Sequence, residues 1–200
     1  MSPALGQTVV RGHLGLRRRV RLARGRLWSA YPGLSVGPGV QLGRGLRLRI
    51  EPGGQVVLAA GCEIDDGVTL AVSSGGEVRI GEAAFVGHHA TVAARREVVI
   101  GARSFVAELV SVRDHDHDPA EPPSSGMSLV DPVRVGDDCW LASKVTVTRG
   151  VTLGDRVVVG AHAVVTRSLP AGSFAVGVPA QAVGQRDRSG AAGGERRPDS

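Results

Sequence analysis

Two hundred residues with a formal net charge of +5 suffice for one domain with a sizeable core. Only 3% are aromatic and 29 are Gly, so that core has to be built from Val, Leu, Ile and Ala. Two cysteines at unrelated places, Cys62 and Cys139, exclude a disulfide framework and read as packed thiols. No apolar run is long enough to span a bilayer, and the N-terminus lacks the apolar core of a signal peptide, so the cytoplasm is the expected compartment.

Residues 1–35 form the first segment. Arg11, Arg17, Arg18, Arg19, Arg21, Arg24 and Arg26 crowd it, and no acid occurs before Glu51. Leu16, Val20, Ala23 and Leu27 recur at helical spacing, which predicts a short basic amphipathic helix, weakened at Gly25. Its expected work is to cap an open end of the domain. A second reading is contact with an anionic membrane surface, peripheral at its inner face. A basic run without stacking aromatics in a recognisable module excludes nucleic acid as the expected partner.

From Val36 onward a six-residue period takes over. Val or Leu opens the blocks at 135, 141, 147, 153, 159 and 165. Earlier blocks open at Val36, Leu42 and Leu48; at Leu58, Ile64 and Leu70; at Ile80, Val86 and Val92; and at Ile100, Val106 and Val112. Hexads suit neither an α-helix nor an ordinary sheet. They are the period of an all-β parallel β-helix, in which each hexad gives one short strand and one corner. Three hexads make a triangular coil, so about six coils are expected over residues 36–183, a prism on the order of 29 Å long at ~4.8 Å per layer. Residues 184–200 (GQRDRSGAAGGERRPDS) cannot build a core and are expected to be disordered.

One stretch breaks the period. VRDHDHDP (Val112 to Pro119) leads into a Pro- and Ser-rich excursion, a protruding loop over 113–132, before Val135 resumes the hexads. Excursions of this kind from a repeat scaffold carry function more often than packing. His115 and His117 alternate with Asp114, Asp116 and Asp118. An extended chain would place both His on one face, within reach of a metal, but His can equally serve as a general base near neutral pH.

The run PVRVGDDCWLASKVTVTRGVTLGDRVVVGAHAVVTRSLPAGSFAVGVPA resembles the hexapeptide-repeat acyltransferases, most closely the maltose/galactoside and sugar O-acetyltransferase branch. The resemblance implies a left-handed β-helix, a homotrimer, acetyl-CoA as acyl donor, no metal, and a sugar or glycan hydroxyl as acceptor. It makes His115 the general base, with Asp114 and His117 in support; His117 as the base with His115 as its helper is the alternative. It places Ser143 and Ala161 along the thioester arm and pantetheine, Thr166 and Arg167 near the nucleotide phosphates, and Trp140 at the groove wall or a subunit contact. Gly87, His88 and His89 fall at a corner where the family meets its acceptor. They read equally as solvated corner residues, and Gly87 stands where the family commonly has Asn. Ala142, His162 and Gln181 also depart from the pattern. Serine, an amino sugar or an antibiotic remain alternative acceptors, and a catalytically silent β-helix that binds a partner is the reading of a different class.

Overall fold

The computed structural model describes residues 17–126 and 129–186. Its body is a three-faced prism of parallel strands. Face one stacks Leu34–Val36, Gln55–Leu58, Glu77–Ile80, Glu97–Ile100, Val133–Val135 and Thr152–Leu153. Face two stacks Gln41–Leu42, Glu63–Ile64, Phe85–Val86, Phe105–Val106, Trp140–Leu141 and Val158–Val159. Face three stacks Arg47–Ile50, Thr69–Val72, Thr91–Ala94, Ser111–Arg113, Thr146–Val147 and Val164–Val165. The chain visits the faces in that order six times, so the six expected coils are present.

The hexad opener supplies the core because alternation along each short strand turns it inward. Leu42, Leu58, Ile64, Leu70, Ile80, Ile100, Leu141 and Leu153 are all at most 1% exposed. Cys62 and Cys139 occupy the fifth place, also facing in, and are buried free thiols. Burial pushes the Cys62 thiol up to about 12, so it behaves as a small apolar side chain.

Two further places of the hexad are fixed by stacking. The second place is crowded where it holds glycine. A Cβ on Gly87 would lie 2.9 Å from the backbone of Ala107 and Glu108 in the next coil, so close approach alone accounts for glycine there. The fourth place turns each corner through the left-handed region. Gly39, Gly45, Gly61 and Gly67 fill it in the first coils, but Ala83, His89, Arg103, Leu109, Asp138, Lys144, Arg156 and His162 adopt it later, at φ between 53° and 61°. For non-Gly residues that conformation is strained.

Residues 17–28 are helical, as expected, but the helix presents a different face. Val20 is 41% and Leu27 77% exposed, and Ala23 is exposed too, so the apolar stripe read from the sequence points away from the prism; Leu16 lies outside the described residues. The inward face runs through Arg21, Gly25 and Trp28. A Cβ on Gly25 would sit 2.7 Å from the Val40 carbonyl, and Trp28 packs on the core and stacks on Tyr31 at 5.5 Å. Gly25 therefore costs helix propensity but permits contact with the first coil. Arg21 forks onto Glu63, Asp65 and Asp66 of the second coil.

The far end differs from expectation as well. A bridge from Leu153 to Leu169 begins a seventh turn, and Ser173–Gly177 joins face two. The chain then reverses and Ala180–Gln185 pairs antiparallel with it. Gly184 and Gln185, expected in a disordered tail, thus belong to a strand, and Arg186 donates its amide to the Gly172 carbonyl at 2.6 Å. The sequence missed this strand because it carries no hexad. Residues 187–200 lie outside the described residues.

Candidate active site

The excursion leaves the corner between faces three and one. Its base is pinned by an antiparallel pair, His115–Asp116 against Leu129–Val130. The Asp131 amide also donates to the Asp114 carbonyl at 2.9 Å, and the Asp131 carboxylate holds Arg149 from the coil above.

Asp114 is wholly buried. Its Oδ1 accepts the Arg95 amide at 2.8 Å, and its Oδ2 accepts the amides of Arg96 and Glu97 at 2.7 and 2.8 Å. Three consecutive amides of the preceding coil's corner thus solvate a buried carboxylate. The fourth donor is the His115 ring, whose Nδ1 lies 2.9 Å from Asp114 Oδ1. Only 14% of the His115 side chain is exposed. With Nδ1–H given to a carboxylate, Nε2 is the unprotonated nitrogen of the neutral ring. An unprotonated Nε2 on an oriented ring is equipped to remove a proton from a hydroxyl.

His117 does not join this pair. Its amide donates to Asp116 Oδ1 at 2.9 Å, and among the described residues its buried Nδ1 has no partner. The two histidines therefore differ: one is fixed by a carboxylate, the other is not. Among the described residues, the grouping with metal-ligand spacing is Asp65, Asp66 and His88, which does not include the DHDHD stretch. Arg21 already donates to both of its carboxylates.

The remaining predicted site residues fall on other edges. Gly87, His88, His89, Ser143 and Ala161 line the corner between faces two and three. His88 Nε2 lies 3.0 Å from Asp65 Oδ2, and the Ser143 hydroxyl donates to Glu108, whose carboxyl this bond holds below the usual range. The amides of Ser143 and Ala161 pair with no backbone carbonyl among the described residues, unlike those of their neighbours Lys144 and His162. Thr166 and Arg167, both exposed, stand on the corner that bears His115. Trp140 is 49% exposed on the outer side of face two. Ala161 and Thr166 are five residues apart along face three, up to about 16 Å at ~3.3 Å per residue. Within one chain, then, the residues expected along the thioester arm and the histidine occupy two different edges.

Face two adds a feature the sequence did not reveal. Its register aligns Phe85, Phe105, Trp140, Val158 and Phe174 in one outward row. Phe85 and Phe105 stack at 4.6 Å, and Phe105 and Phe174 are 46% and 39% exposed. All three Phe residues of the chain thus lie on this face.

Residues 132–167 match the bacterial transferase hexapeptide (six repeats) family. Over these residues the chain carries the repeats of that family. This hexapeptide-repeat protein is 33% identical over 178 residues to a probable acetyltransferase of Mycobacterium tuberculosis, a match covering 87% of this chain and 58% of that protein. Galactoside O-acetyltransferase of Escherichia coli K12 is 30% identical over 112 residues, 56% of this chain and 55% of the relative. The chain spans well under two thirds of the length of these relatives. Among solved structures, a maltose O-acetyltransferase from Clostridium difficile 630 superposes with a TM-score of 0.57 at 22% identity, covering 87% of this chain and 88% of that one. A Vibrio cholerae hexapeptide-repeat acetyltransferase solved with acetyl coenzyme A superposes with a TM-score of 0.55 at 18% identity, covering 88% and 90%. At these identities the superpositions establish the shared fold.

Proposed function

We propose that this hexapeptide-repeat protein is an acetyltransferase that moves an acetyl group from acetyl-CoA to a hydroxyl of a sugar or glycan, with His115 as general base. The observation that carries the reading is the Asp114–His115 pair at 2.9 Å, its carboxylate buried at the root of the long excursion from the hexads. It agrees with the names of the relatives, which include acetyltransferases acting on galactosides.

In the reaction, His115 Nε2 accepts the acceptor's hydroxyl proton as its oxygen attacks the thioester carbonyl. The C–O bond forms, the tetrahedral intermediate collapses, and the C–S bond breaks. The proton passes to the departing sulfur, leaving CoA thiol and the acetyl ester. Asp114 orients the ring and stabilises the imidazolium that forms in between. The Ser143 amide, which pairs with no backbone carbonyl among the described residues, is suited to the oxyanion or the thioester arm, and Ala161 to the pantetheine. Thr166 and Arg167 offer a hydroxyl and a planar cation to phosphates. Neither step requires a metal.

Self-association follows from the same geometry. Two edges of the prism carry complementary halves of the site, so a groove is complete only where the edge of one copy meets the other edge of its neighbour. A homotrimer closes such contacts, and the exposed ring row of face two supplies apolar surface for it. Trp140 belongs to that contact or to the groove wall beside it.

Release of CoA thiol from acetyl-CoA, followed with a panel of sugars, an amino sugar and serine, tests the reaction and sorts the acceptors. Turnover on at least one hydroxyl acceptor is expected, and His115→Ala should lower kcat by about 10²- to 10⁴-fold, the usual worth of a positioned base. Acetyl-CoA binding without turnover on any acceptor would leave the catalytically silent scaffold as the better reading.

A further inference from the structure

We propose that the helix over residues 17–28 is a docking element for an anionic lipid surface. The inference is independent of the acetyltransfer reading, because it rests on a face that no proposed site residue shares.

Three observations carry it. First, the helix is attached to the prism by one side, through Arg21, Gly25 and Trp28, and among the described residues its opposite side is open. Second, that open side is apolar: Val20 is 41% and Leu27 77% exposed, with exposed Ala23 between them. At 100° per residue these three positions span an arc of about 60°. Arg19 and Arg26 flank the arc on one side, Arg17 and Arg24 on the other, and among the described residues no carboxylate pairs with any of the four. Third, the same end of the prism adds cations, with Arg47 and Arg49 exposed on the first coil, and no acid occurs before Glu51.

An apolar strip between two rows of long cationic side chains fits an interface rather than bulk water. Leu27 and Val20 enter the acyl boundary while the arginine stems lie along it and their heads stay with the phosphates. The one helix arginine that the fold uses, Arg21, is the one that holds the element to the body. Charge selects lipid over a protein partner: the four arginines that flank the strip, with no acid on the helix and no carboxylate partner among the described residues, match a dense array of phosphates.

The test is flotation of the full chain with vesicles of neutral phosphatidylcholine, and with the same vesicles containing phosphatidylglycerol. Binding is expected only to the anionic vesicles and should fall as NaCl is raised. Arg19→Gln with Arg26→Gln should weaken partitioning about 25-fold, at about fivefold per cation near the surface. Val20→Asp with Leu27→Asp should abolish it with an unchanged melting temperature, since both side chains face solvent. Equal binding to neutral vesicles, or no binding at low salt, overturns the proposal. So does a fall in oligomer size on Val20→Asp with Leu27→Asp, which would make the strip a contact between copies. Deletion of residues 1–16 that abolishes binding while Val20→Asp with Leu27→Asp leaves it intact would transfer the anchor to that segment.

Discussion

Asp114→Asn separates the structural from the chemical work of the buried carboxylate. Four donors converge on it: the Arg95 amide and His115 Nδ1 on one oxygen, the Arg96 and Glu97 amides on the other. Asparagine keeps one oxygen and replaces the other with an NH₂ that cannot accept. If the NH₂ faces Arg96 and Glu97, two buried amides are orphaned, at about 1–3 kcal/mol each. If it faces Arg95 and His115, one amide is orphaned and the imidazole can switch tautomer, turning Nδ1 into the acceptor. The second arrangement is cheaper by about 1–3 kcal/mol and should win.

That choice has a sharp consequence. The switch moves the proton to Nε2, the nitrogen that has to be bare for base catalysis. Stability should therefore fall by only about 1–3 kcal/mol, read by urea denaturation, while kcat falls about 10²- to 10⁴-fold, read by thiol release. Nitrogen-15 spectra of the His115 ring distinguish the tautomers directly. A variant with Nε2 still unprotonated and kcat within about threefold of the parent would refute the positioning role. Loss of kcat with an unchanged tautomer would place the effect in charge rather than orientation.

His115→Ala should leave CoA affinity nearly unchanged by titration calorimetry, because the proposed CoA contacts are Ser143, Ala161, Thr166 and Arg167; His117→Ala should cost about tenfold in kcat, having no carboxylate partner. Gly61 and Ala83 occupy the same corner place in successive coils, both at positive φ, and open space surrounds the Gly61 Cβ position. Gly61→Ala should thus lose about 1–2 kcal/mol by denaturation while Ala83→Gly loses nothing or gains. Burial raises the Asp66 carboxyl, but the Arg44 amide and the Arg21 guanidinium outweigh it and hold the group below its usual value. Its stabilisation is therefore present above the ordinary value near ~3.9 and is lost as pH falls through the lower folded one, so Arg21→Met should flatten the acid limb of melting temperature against pH.

The six coils were legible because one inward side chain per hexad is enough to set a strand, and Val, Leu and Ile mark it at almost every opener. The strain at the fourth place was not legible. Leu109 or Ala83 at positive φ contradicts local preference, and only the hydrogen bonds of the stacked coil, such as the Ala83 amide to the Ala60 carbonyl, hold it there. The helix was read as a helix but turned the wrong way. Its apolar stripe looked like a packing face, yet contact with the first coil required close approach, which Gly25 supplies and a leucine would prevent. The closing strand Ala180–Gln185 escaped because its only instruction is pairing with Ser173–Gly177.

For the candidate site, the pattern DHDHD named the right neighbourhood without distinguishing its members. Spacing treats Asp114, Asp116 and Asp118 alike. What separates them is the corner before the next coil: the amides of Arg95, Arg96 and Glu97 converge on one carboxylate and no other. Those residues lie 17 to 19 positions away, one coil back, which no local motif can encode. The same holds for the two edges of the prism. Ser143 and Thr166 look like parts of one motif in a linear run, yet three-fold winding sends them to different corners. A solenoid with a triangular section cannot gather them by folding alone. If the proposed reaction occurs, the second edge has to arrive on another copy, and catalysis should then vanish on dilution below the assembly's dissociation constant while each chain remains folded.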